Sequence, residues 1–230
     1  LFAPKAMSLQ KTSGIEYWTK RWANQIIPFH RPSVHPYLKE IEDDFTTSNK
    51  KLRILIPMCG KMREIKWFYE RGHTVVGVEI TRQAIDDFFQ ENELTATEVR
   101  CPVLKCPILQ TTDKRLSIYC CDVVDFIRSK PGVMDVVFDR GTLCIMESQE
   151  HRLKYINMMK TLLAPGYTYL LTTFKHDDKS FQDLPKNVTD NNVQELFGKN
   201  TTVEKVCELR EITVPSLKSP LIEVTWRVTG

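Results

Sequence analysis

Short apolar runs alternate with amphipathic segments along most of the chain, and this pattern predicts an α/β protein. Residues 51–79 show it most clearly. Leu52 to Pro57 is a β-branched run without polar alternation, as expected of a strand that is buried on both faces. A turn, an amphipathic helix and a second apolar strand at 74–78 follow it. This order predicts a βαβ unit.

Glu79 directly follows the second strand of this unit. A carboxylate there can accept hydrogen bonds from both hydroxyls of a ribose, so we expect a nucleoside-like ligand. The turn contains only Gly60 where dinucleotide binders carry G-x-G-x-x-G, the glycines that let a pyrophosphate approach the backbone. A cofactor with a ribose and no phosphate fits better, and S-adenosyl-L-methionine is the common one. The pattern alone leaves open a plain α/β turn with a solvent-exposed glutamate.

The rest of the chain continues the alternation, without internal repeats. We expect helices at residues 15–26, 34–45, 81–92, 123–128, 149–163 and 189–197. We expect strands at residues 116–121, 133–138, 167–174, 201–214 and 221–228, the last two as an antiparallel pair. Prolines argue against a helix in 95–114, which we expect to be irregular and partly hairpin.

Polar residues follow four successive predicted strands: Met58 to Gly60, Glu79, Asp122, and Asp139 with Arg140. Because ligands of an open α/β sheet bind at the carboxyl ends of its strands, these side chains are expected to converge. Glu79 would hold the ribose, and Asp122 or the amide of Val123 would meet the adenine amino group. Asp139 and Arg140 would begin the loop where the methionine tail and the acceptor meet.

Composition sets the outer bounds of the interpretation. The 230 residues are 42% hydrophobic and 27% charged with a net charge of +3, within reach of one α/β domain. Without a basic stripe or a long apolar run, we expect neither nucleic acid nor a membrane as partner, and we expect a monomer. Residues 1–14 lack the pattern of a signal peptide and are expected to be a disordered arm or a vector-derived extension.

The cysteines indicate the compartment. Seven are present, an odd number, and none has the spacing of a zinc site with other cysteines or histidines, so we expect no metal. Buried free thiols are typical of a reducing environment, and we therefore expect a cytoplasmic protein.

The segment from Tyr17 to Leu143 resembles the thiopurine S-methyltransferase family, whose members are class I methyltransferases. The matching stretches, in the family's order, are EYWTKRWANQIIPFH, IPMCGK, KWFYERGHTVVGVEI, LSIYCCDVVDF and FDRGTL, followed later by ELFG at Glu195 to Gly198. The resemblance implies one Rossmann-like methyltransferase domain over residues 1–230, with residues 15–46 as a helical cover. It implies a mostly parallel, seven-stranded sheet with an antiparallel last strand and helices on both faces.

The resemblance also implies roles for individual residues. Trp18 and Trp22 would cover the cofactor, and Phe29 would border both cofactor and acceptor. Met58 and Gly60 would supply contacts from the turn. From spacing alone, the two tryptophans could equally be ordinary contacts between a helix and the core.

The remaining contacts implied by the resemblance lie after the later strands. Glu79 would contact the ribose, Asp122 and Val123 the adenine, and Arg140 both cofactor and acceptor. From its position alone, Arg140 could instead form a surface salt bridge with Asp139.

The predicted reaction is methyl transfer from S-adenosyl-L-methionine to the sulfur of a small or aromatic thiol, with S-adenosyl-L-homocysteine as product. A thiolate needs little activation, so orientation and desolvation are the main requirements. Arg140 could hold the thiolate, while Asp139 could be a weak proton acceptor or hold Arg140. An oxygen or nitrogen acceptor would need a base, which Asp139, Asp122 or His30 could supply. The sequence also leaves open a selenium or halide acceptor and a non-catalytic, methyltransferase-like binding module.

Two loops depart from the family's pattern. The stretch FKHDDKSFQDLPKNV lacks a Gly-Pro-Pro run, and VPSLKSP lacks an arginine, which leaves Lys218 as its only cation. Lys218 is therefore our candidate for a second contact to the acceptor. Lysine does not replace arginine in planar, bidentate contacts, which counts against a heteroaromatic acceptor held by two arginines and leaves open a small thiol, hydrogen sulfide, a selenium species or a halide.

Overall fold

The computed structural model describes residues 14–46, 50–212, 214 and 217–230, and these form one nine-stranded sheet with helices on both faces. The strands are β1 (Arg53–Pro57), β2 (Thr74–Glu79), β3 (Thr97–Arg100), β4 (Pro107–Gln110), β5 (Leu116–Cys120), β6 (Met134–Arg140), β7 (Leu163–Lys175), β8 (Thr202–Ile212) and β9 (Leu221–Thr229). Their order across the sheet is β3-β4-β5-β2-β1-β6-β7-β9-β8.

The five central strands, β5-β2-β1-β6-β7, are parallel. β9 inserts antiparallel between β7 and β8, which confirms the antiparallel last strand. The predicted count of seven strands is wrong because residues 95–114 supply a two-stranded hairpin, β3 and β4, that extends the β5 edge. Pro107 is compatible with this hairpin because it is the first residue of β4.

The helices are α1 (Ile15–Ala23), α2 (Pro36–Glu40), α3 (Glu42–Thr46), α4 (Arg63–Glu70), α5 (Arg82–Glu91), α6 (Val123–Phe126), α7 (Gln149–Lys160) and α8 (Asp190–Phe197). The single helix predicted over 34–45 is wrong. Pro36 sets the start of α2 at the position where its missing N–H is not needed, and a turn at Ile41 separates α2 from α3.

Apolar side chains fill both faces of the sheet. Leu55 and Val137 face a cluster that includes residues of α6, α7 and α8, whereas Ile54 and Phe138 face a second cluster with residues of α4 and α5. Because successive side chains of a strand alternate between faces, this division follows directly from the strand register. The predicted burial of the first strand on both sides is confirmed.

The structure bears in part on the predictions about thiols and membranes. All seven cysteines carry free thiols, and Cys59, Cys101 and Cys144 are buried. In the described part of the chain, no helix has the length and apolar character needed to cross a membrane. The cytoplasmic location stays a prediction from the cysteine usage.

Candidate functional site

A cavity of about 360 Å³ lies at the carboxyl edge of the parallel strands, between the sheet and the N-terminal segment. Nine of the predicted site residues line it together: Trp18, Trp22, Phe29, Met58, Gly60, Glu79, Asp122, Val123 and Arg140. Asp139 and Lys218 are not among its lining residues. Residues up to 122 positions apart in the chain, from Trp18 to Arg140, therefore lie around one cavity.

The turn after β1 forms the floor of the cavity and has an unusual backbone. Met58 has φ +47° and Gly60 has φ +49°, both in the left-handed region. A Cβ at Gly60 would lie 2.9 Å from Cζ2 of Trp22. Glycine is therefore needed for both the turn and the close approach of the indole.

Glu79 lies at the end of β2 with its carboxylate at the turn. Its Oε2 accepts a hydrogen bond from the Gly60 N–H at 2.9 Å, and its Oε1 accepts one from the Thr81 N–H at 2.8 Å. Burial raises the pKa of Glu79, and these two N–H groups oppose the rise. Each carboxylate oxygen can accept further hydrogen bonds, so hydroxyl donors in the cavity can still bind it.

Asp122 and Val123 form the next part of the wall, after β5. Asp122 is the N-cap of α6, and its Oδ1 accepts a hydrogen bond from the Val124 N–H at 2.8 Å. The Val123 N–H is in the first turn of this helix, where amide groups have no acceptor within the helix. One carboxylate and one amide therefore lie side by side, a donor and acceptor set suited to an adenine edge.

Aromatic side chains of the N-terminal segment cover the cavity. The rings of Trp18 and Trp22 each meet the ring of Phe29 edge to face, with centroids 5.7 and 6.0 Å apart. Trp22 is almost fully buried, whereas Phe29 is 37% exposed. The buried ammonium of Lys61 lies 5.9 Å from the Trp22 ring centroid and pairs with Glu91 at 2.6 Å.

Arg140, the last residue of β6, is held by a partner that the sequence reasoning missed. Its Nε donates to Oε1 of Glu223 at 2.8 Å, and its Nη1 donates to the Phe29 carbonyl at 2.9 Å. Its guanidinium carbon is 5.4 Å from the ring centroid of Phe174. The predicted alternative of a salt bridge between Arg140 and Asp139 is wrong.

Asp139 points away from the cavity. β6 extends two residues beyond its predicted end, so Asp139 and Arg140 are strand residues and face opposite sides of the sheet. The fully buried Asp139 carboxylate accepts hydrogen bonds from the hydroxyls of Tyr155 at 2.8 Å, Tyr169 at 2.5 Å, and Thr142. Burial raises its pKa, and these bonds oppose the rise. A role as a proton acceptor at the site does not fit this position.

Lys218 is exposed and donates to the Ser180 hydroxyl at 3.3 Å, outside the cavity wall. Two further arginines, Arg21 and Arg31, line the cavity instead. Arg31, in the segment after α1, donates from Nη1 to Oε2 of Glu223 at 2.8 Å. The loop without Gly-Pro-Pro still contributes Asp183, Leu184 and Pro185 to the wall.

Sequence reasoning missed Arg31, which directly follows the matching stretch that ends at His30. Glu223 did carry a signal, since it is an isolated carboxylate within the apolar strand LIEVTW. Its fully buried side chain also lies 3.5 Å from Nε2 of His35. Burial alone would raise the pKa of Glu223, but the hydrogen bond from His35 and the charge of Arg140 lower it to about 2.

The residues of this cavity fit a nucleoside that carries an amino-acid tail. Glu79 offers acceptors for ribose hydroxyls, Asp122 and Val123 suit an adenine edge, and Trp18 supplies an aromatic cover. The turn lacks the glycines needed for a pyrophosphate. The strand order and the position of this site define a class I methyltransferase.

Solved structures of methyltransferases share this fold. The 1,6-didemethyltoxoflavin-N1-methyltransferase of Burkholderia thailandensis, with bound S-adenosylhomocysteine, superposes with a TM-score of 0.63, covering 100% of this chain and 94% of its own, at 16% identity. Magnesium protoporphyrin IX methyltransferase from Synechocystis, with bound SAM, gives a TM-score of 0.57 over 94% of this chain and 99% of its own, at 11% identity.

Sequence comparison identifies the family. The model of the thiopurine S-methyltransferase family matches residues 14–227. Thiopurine S-methyltransferase of Bos taurus is 38% identical over 187 residues, which are 80% of this chain and 75% of the relative. The enzyme of Rattus norvegicus is 35% identical over 80% of this chain and 77% of its own length. The chain belongs to the thiopurine S-methyltransferase family, and the predicted class, an S-adenosylmethionine-dependent methyltransferase, is confirmed.

Proposed function

We propose that this protein transfers the methyl group of S-adenosyl-L-methionine to the sulfur of an aromatic or small thiol, through one methyltransferase domain. The single observation that carries the proposal is the shared cavity, which is lined by Glu79 at the end of β2 and by Arg140 at the end of β6 beneath the same aromatic cover. Membership of the thiopurine S-methyltransferase family supports sulfur as the acceptor atom.

The cofactor end is built from Glu79, Asp122, Val123, Met58 and Gly60. When bound, S-adenosyl-L-methionine supplies a methyl group on a positively charged sulfonium. Glu79 would accept hydrogen bonds from the ribose, and the first turn of α6 would hold the adenine. Since the Gly60 and Thr81 amides already fix the Glu79 carboxylate, it is oriented before any ligand binds.

The acceptor end is bounded by Phe29, Phe174, Arg31 and Arg140. The two phenylalanines offer apolar faces to an aromatic ring, and the two guanidinium groups favour a negative charge beside it. Lys218 does not line the cavity, so we assign the second cationic contact to Arg31. An aromatic thiol fits this combination of ring faces and cations better than a small aliphatic one.

The chemistry requires little from the protein beyond binding and orientation. The acceptor sulfur forms a bond to the methyl carbon while the bond from that carbon to the sulfonium breaks, and its electron pair returns to the departing sulfur. A thiolate donates the new electron pair without a base. Arg140 would keep the acceptor ionised and oriented, while the aromatic cover would exclude water.

An oxygen or nitrogen acceptor finds less support. It needs a general base, and the Asp139 carboxylate does not line the cavity and is engaged by the hydroxyls of Thr142, Tyr155 and Tyr169. Asp122 is engaged as a helix cap. His30 lines the cavity, and burial, followed by the charge of Lys61, lowers its pKa. His30 is therefore the one weak base that remains at the cavity. None of the described hydrogen bonds orients its side chain.

The proposal is tested by a transfer assay with labelled S-adenosyl-L-methionine over matched acceptors: an aromatic thiol, its phenol and aniline analogues, a small aliphatic thiol, a selenol and a halide. We expect methyl transfer to the aromatic thiol and none to the phenol. Transfer to the phenol or aniline alone would contradict the proposal. The monomeric state and the absence of nucleic-acid partners stay predictions, which size-exclusion chromatography and a filter-binding assay can address.

A further inference from the structure

One buried carboxylate connects two of the three arginines of the cavity wall, Arg31 and Arg140. Glu223 lies on β9 with its side chain fully buried, and it does not itself line the cavity. Its Oε2 accepts a hydrogen bond from Arg31 at 2.8 Å, and its Oε1 accepts one from Arg140 at 2.8 Å. A single carboxylate thus lies behind two guanidinium groups that both reach the acceptor end.

The orientation of Arg140 depends on this contact. Nε and Nη2 both donate to Glu223, at 2.8 and 3.4 Å, and Nη1 donates to the Phe29 carbonyl. Within the described part of the chain, these bonds use three of the five N–H groups of the Arg140 guanidinium and leave two for an acceptor. A planar guanidinium held at all three nitrogens keeps one orientation, whereas a free arginine side chain samples many.

The same carboxylate ties the N-terminal cover to the sheet. Arg31 and Phe29 belong to one short segment after α1, and they contact Glu223 and Arg140, respectively. His35, immediately before α2, adds a contact of 3.5 Å between its Nε2 and Glu223. The segment of Phe29 and Arg31 and the guanidinium of Arg140 therefore share one buried partner.

We propose that Glu223 is a positioning residue, which sets the Arg140 guanidinium for the acceptor and couples it to the cover through Arg31. This inference rests on the proposed function. Glu223 acts through Arg140, since it lies behind the wall and has no contact with the cavity. The site that results suits an acceptor with negative charge on its sulfur, because two guanidinium groups share one carboxylate.

A double-mutant cycle separates this role from a purely structural one. Glu223→Gln, Arg140→Met and the double variant are compared with the wild type, using kcat and KM for an aromatic thiol and calorimetry with S-adenosylhomocysteine. We expect Glu223→Gln alone to lower kcat by at least about tenfold, since small misplacements of an orienting group have large kinetic effects. In the Arg140→Met background the same substitution should change kcat by less than about twofold.

Cofactor affinity serves as the internal reference, because Glu223 has no contact with the cavity. The Kd for S-adenosylhomocysteine of Glu223→Gln should stay within about threefold of the wild type, as expected for a residue outside the binding contacts. Glu204→Gln, which removes an exposed carboxylate from the neighbouring strand β8, should match the wild type in every measurement.

Two outcomes would overturn the inference: unchanged kcat in folded Glu223→Gln, or an equal loss of kcat in both backgrounds. If Glu223→Gln does not fold, Glu223→Asp keeps the charge and shortens the reach, and it should lower kcat while near-wild-type circular dichroism is retained. Wild-type kinetics for Glu223→Asp would then count against the inference. A wild-type protein that binds no S-adenosylhomocysteine would defeat the proposed function instead, so the two failures are distinguishable.

Discussion

Asp139 and Arg140 are consecutive residues of β6 whose side chains lie on opposite faces of the sheet. Asp139 is enclosed by the hydroxyls of Tyr155, Tyr169 and Thr142, whereas Arg140 lines the cavity and pairs with Glu223. The alternation of side chains along a strand makes this separation unavoidable once the strand includes both residues. The two positions should therefore respond differently to substitution.

Arg140→Lys should reduce kcat/KM for a thiol acceptor by about tenfold or more, because lysine keeps the charge opposite Glu223 but lacks the fork that orients an acceptor. The thermal midpoint should fall by only a few degrees, since the buried carboxylate stays paired. Steady-state kinetics with thermal unfolding of the same preparation measures both effects. Wild-type kinetics in Arg140→Lys would show that the acceptor does not depend on the guanidinium.

Asp139→Ala should act on stability and not on chemistry. It leaves three buried hydroxyls without their acceptor, at a cost of about 2 kcal/mol or more in the free energy of unfolding. Urea unfolding measures this loss. At a temperature well below the transition, kcat should stay within about twofold of the wild type, because Asp139 has no access to the cavity. A large fall in kcat in fully folded Asp139→Ala would show that Asp139 takes part in the reaction.

Two tryptophans one helical turn apart should separate cofactor binding from stability. Trp22 is almost fully buried against Gly60, whereas Trp18 is partly exposed at the cavity edge. Trp22→Ala should lower the free energy of unfolding by about 3 kcal/mol, as large core aromatics do. Trp18→Ala should weaken S-adenosylhomocysteine binding with a much smaller stability change. Calorimetry and urea unfolding on both variants test this, and equal effects at the two positions would contradict it.

The cavity residues after β1 and β2 were predictable from the chain, whereas the exact end of β6 was not. Buried β-branched runs indicated β1 and β2, and the acid after β2 marked Glu79 as a cavity residue. The hairpin of β3 and β4 was missed as an addition to the sheet because its strands are only four residues long, with Pro102 between them and Pro107 as the first residue of β4. The end of β6 was set two residues early, and that small error placed Asp139 on the wrong face.

Contacts between residues far apart in the chain could not be predicted from the sequence either. Arg140 and Glu223 are 83 residues apart, and Arg31 and Glu223 are 192 residues apart. Only the insertion of β9 next to β7 brings Glu223 beneath the cavity. A charged residue in an apolar strand indicates that a buried partner exists, but the strand order decides which one it is.

Acid should weaken the fold through Glu223. Its pKa lies at about 2, below the ordinary value of 4.5, so its contribution is complete above pH 4.5 and is lost as the pH falls toward 2. For a shift of this size the contribution is about 3 kcal/mol. Arg31, Arg140 and His35 are the groups that face it.

Urea unfolding between pH 7 and pH 3 measures this contribution as the difference in stability between wild type and Glu223→Gln. The difference should be largest near neutral pH and should shrink below pH 4.5, because protonation turns the wild-type carboxylate into a neutral group. A difference that is constant across the range would show that the charge of Glu223 has no part in its stabilising effect.

The most direct test of the account is calorimetry with S-adenosylhomocysteine on wild type, Glu79→Ala and a control, Glu150→Ala, which removes an exposed carboxylate from α7. We predict one site per chain, a Kd raised about tenfold to a hundredfold in Glu79→Ala because the ribose hydroxyls lose a charged acceptor, and an unchanged Kd in the control. Unchanged affinity in folded Glu79→Ala, or no binding by the wild type, would contradict the assignment of this cavity to the cofactor.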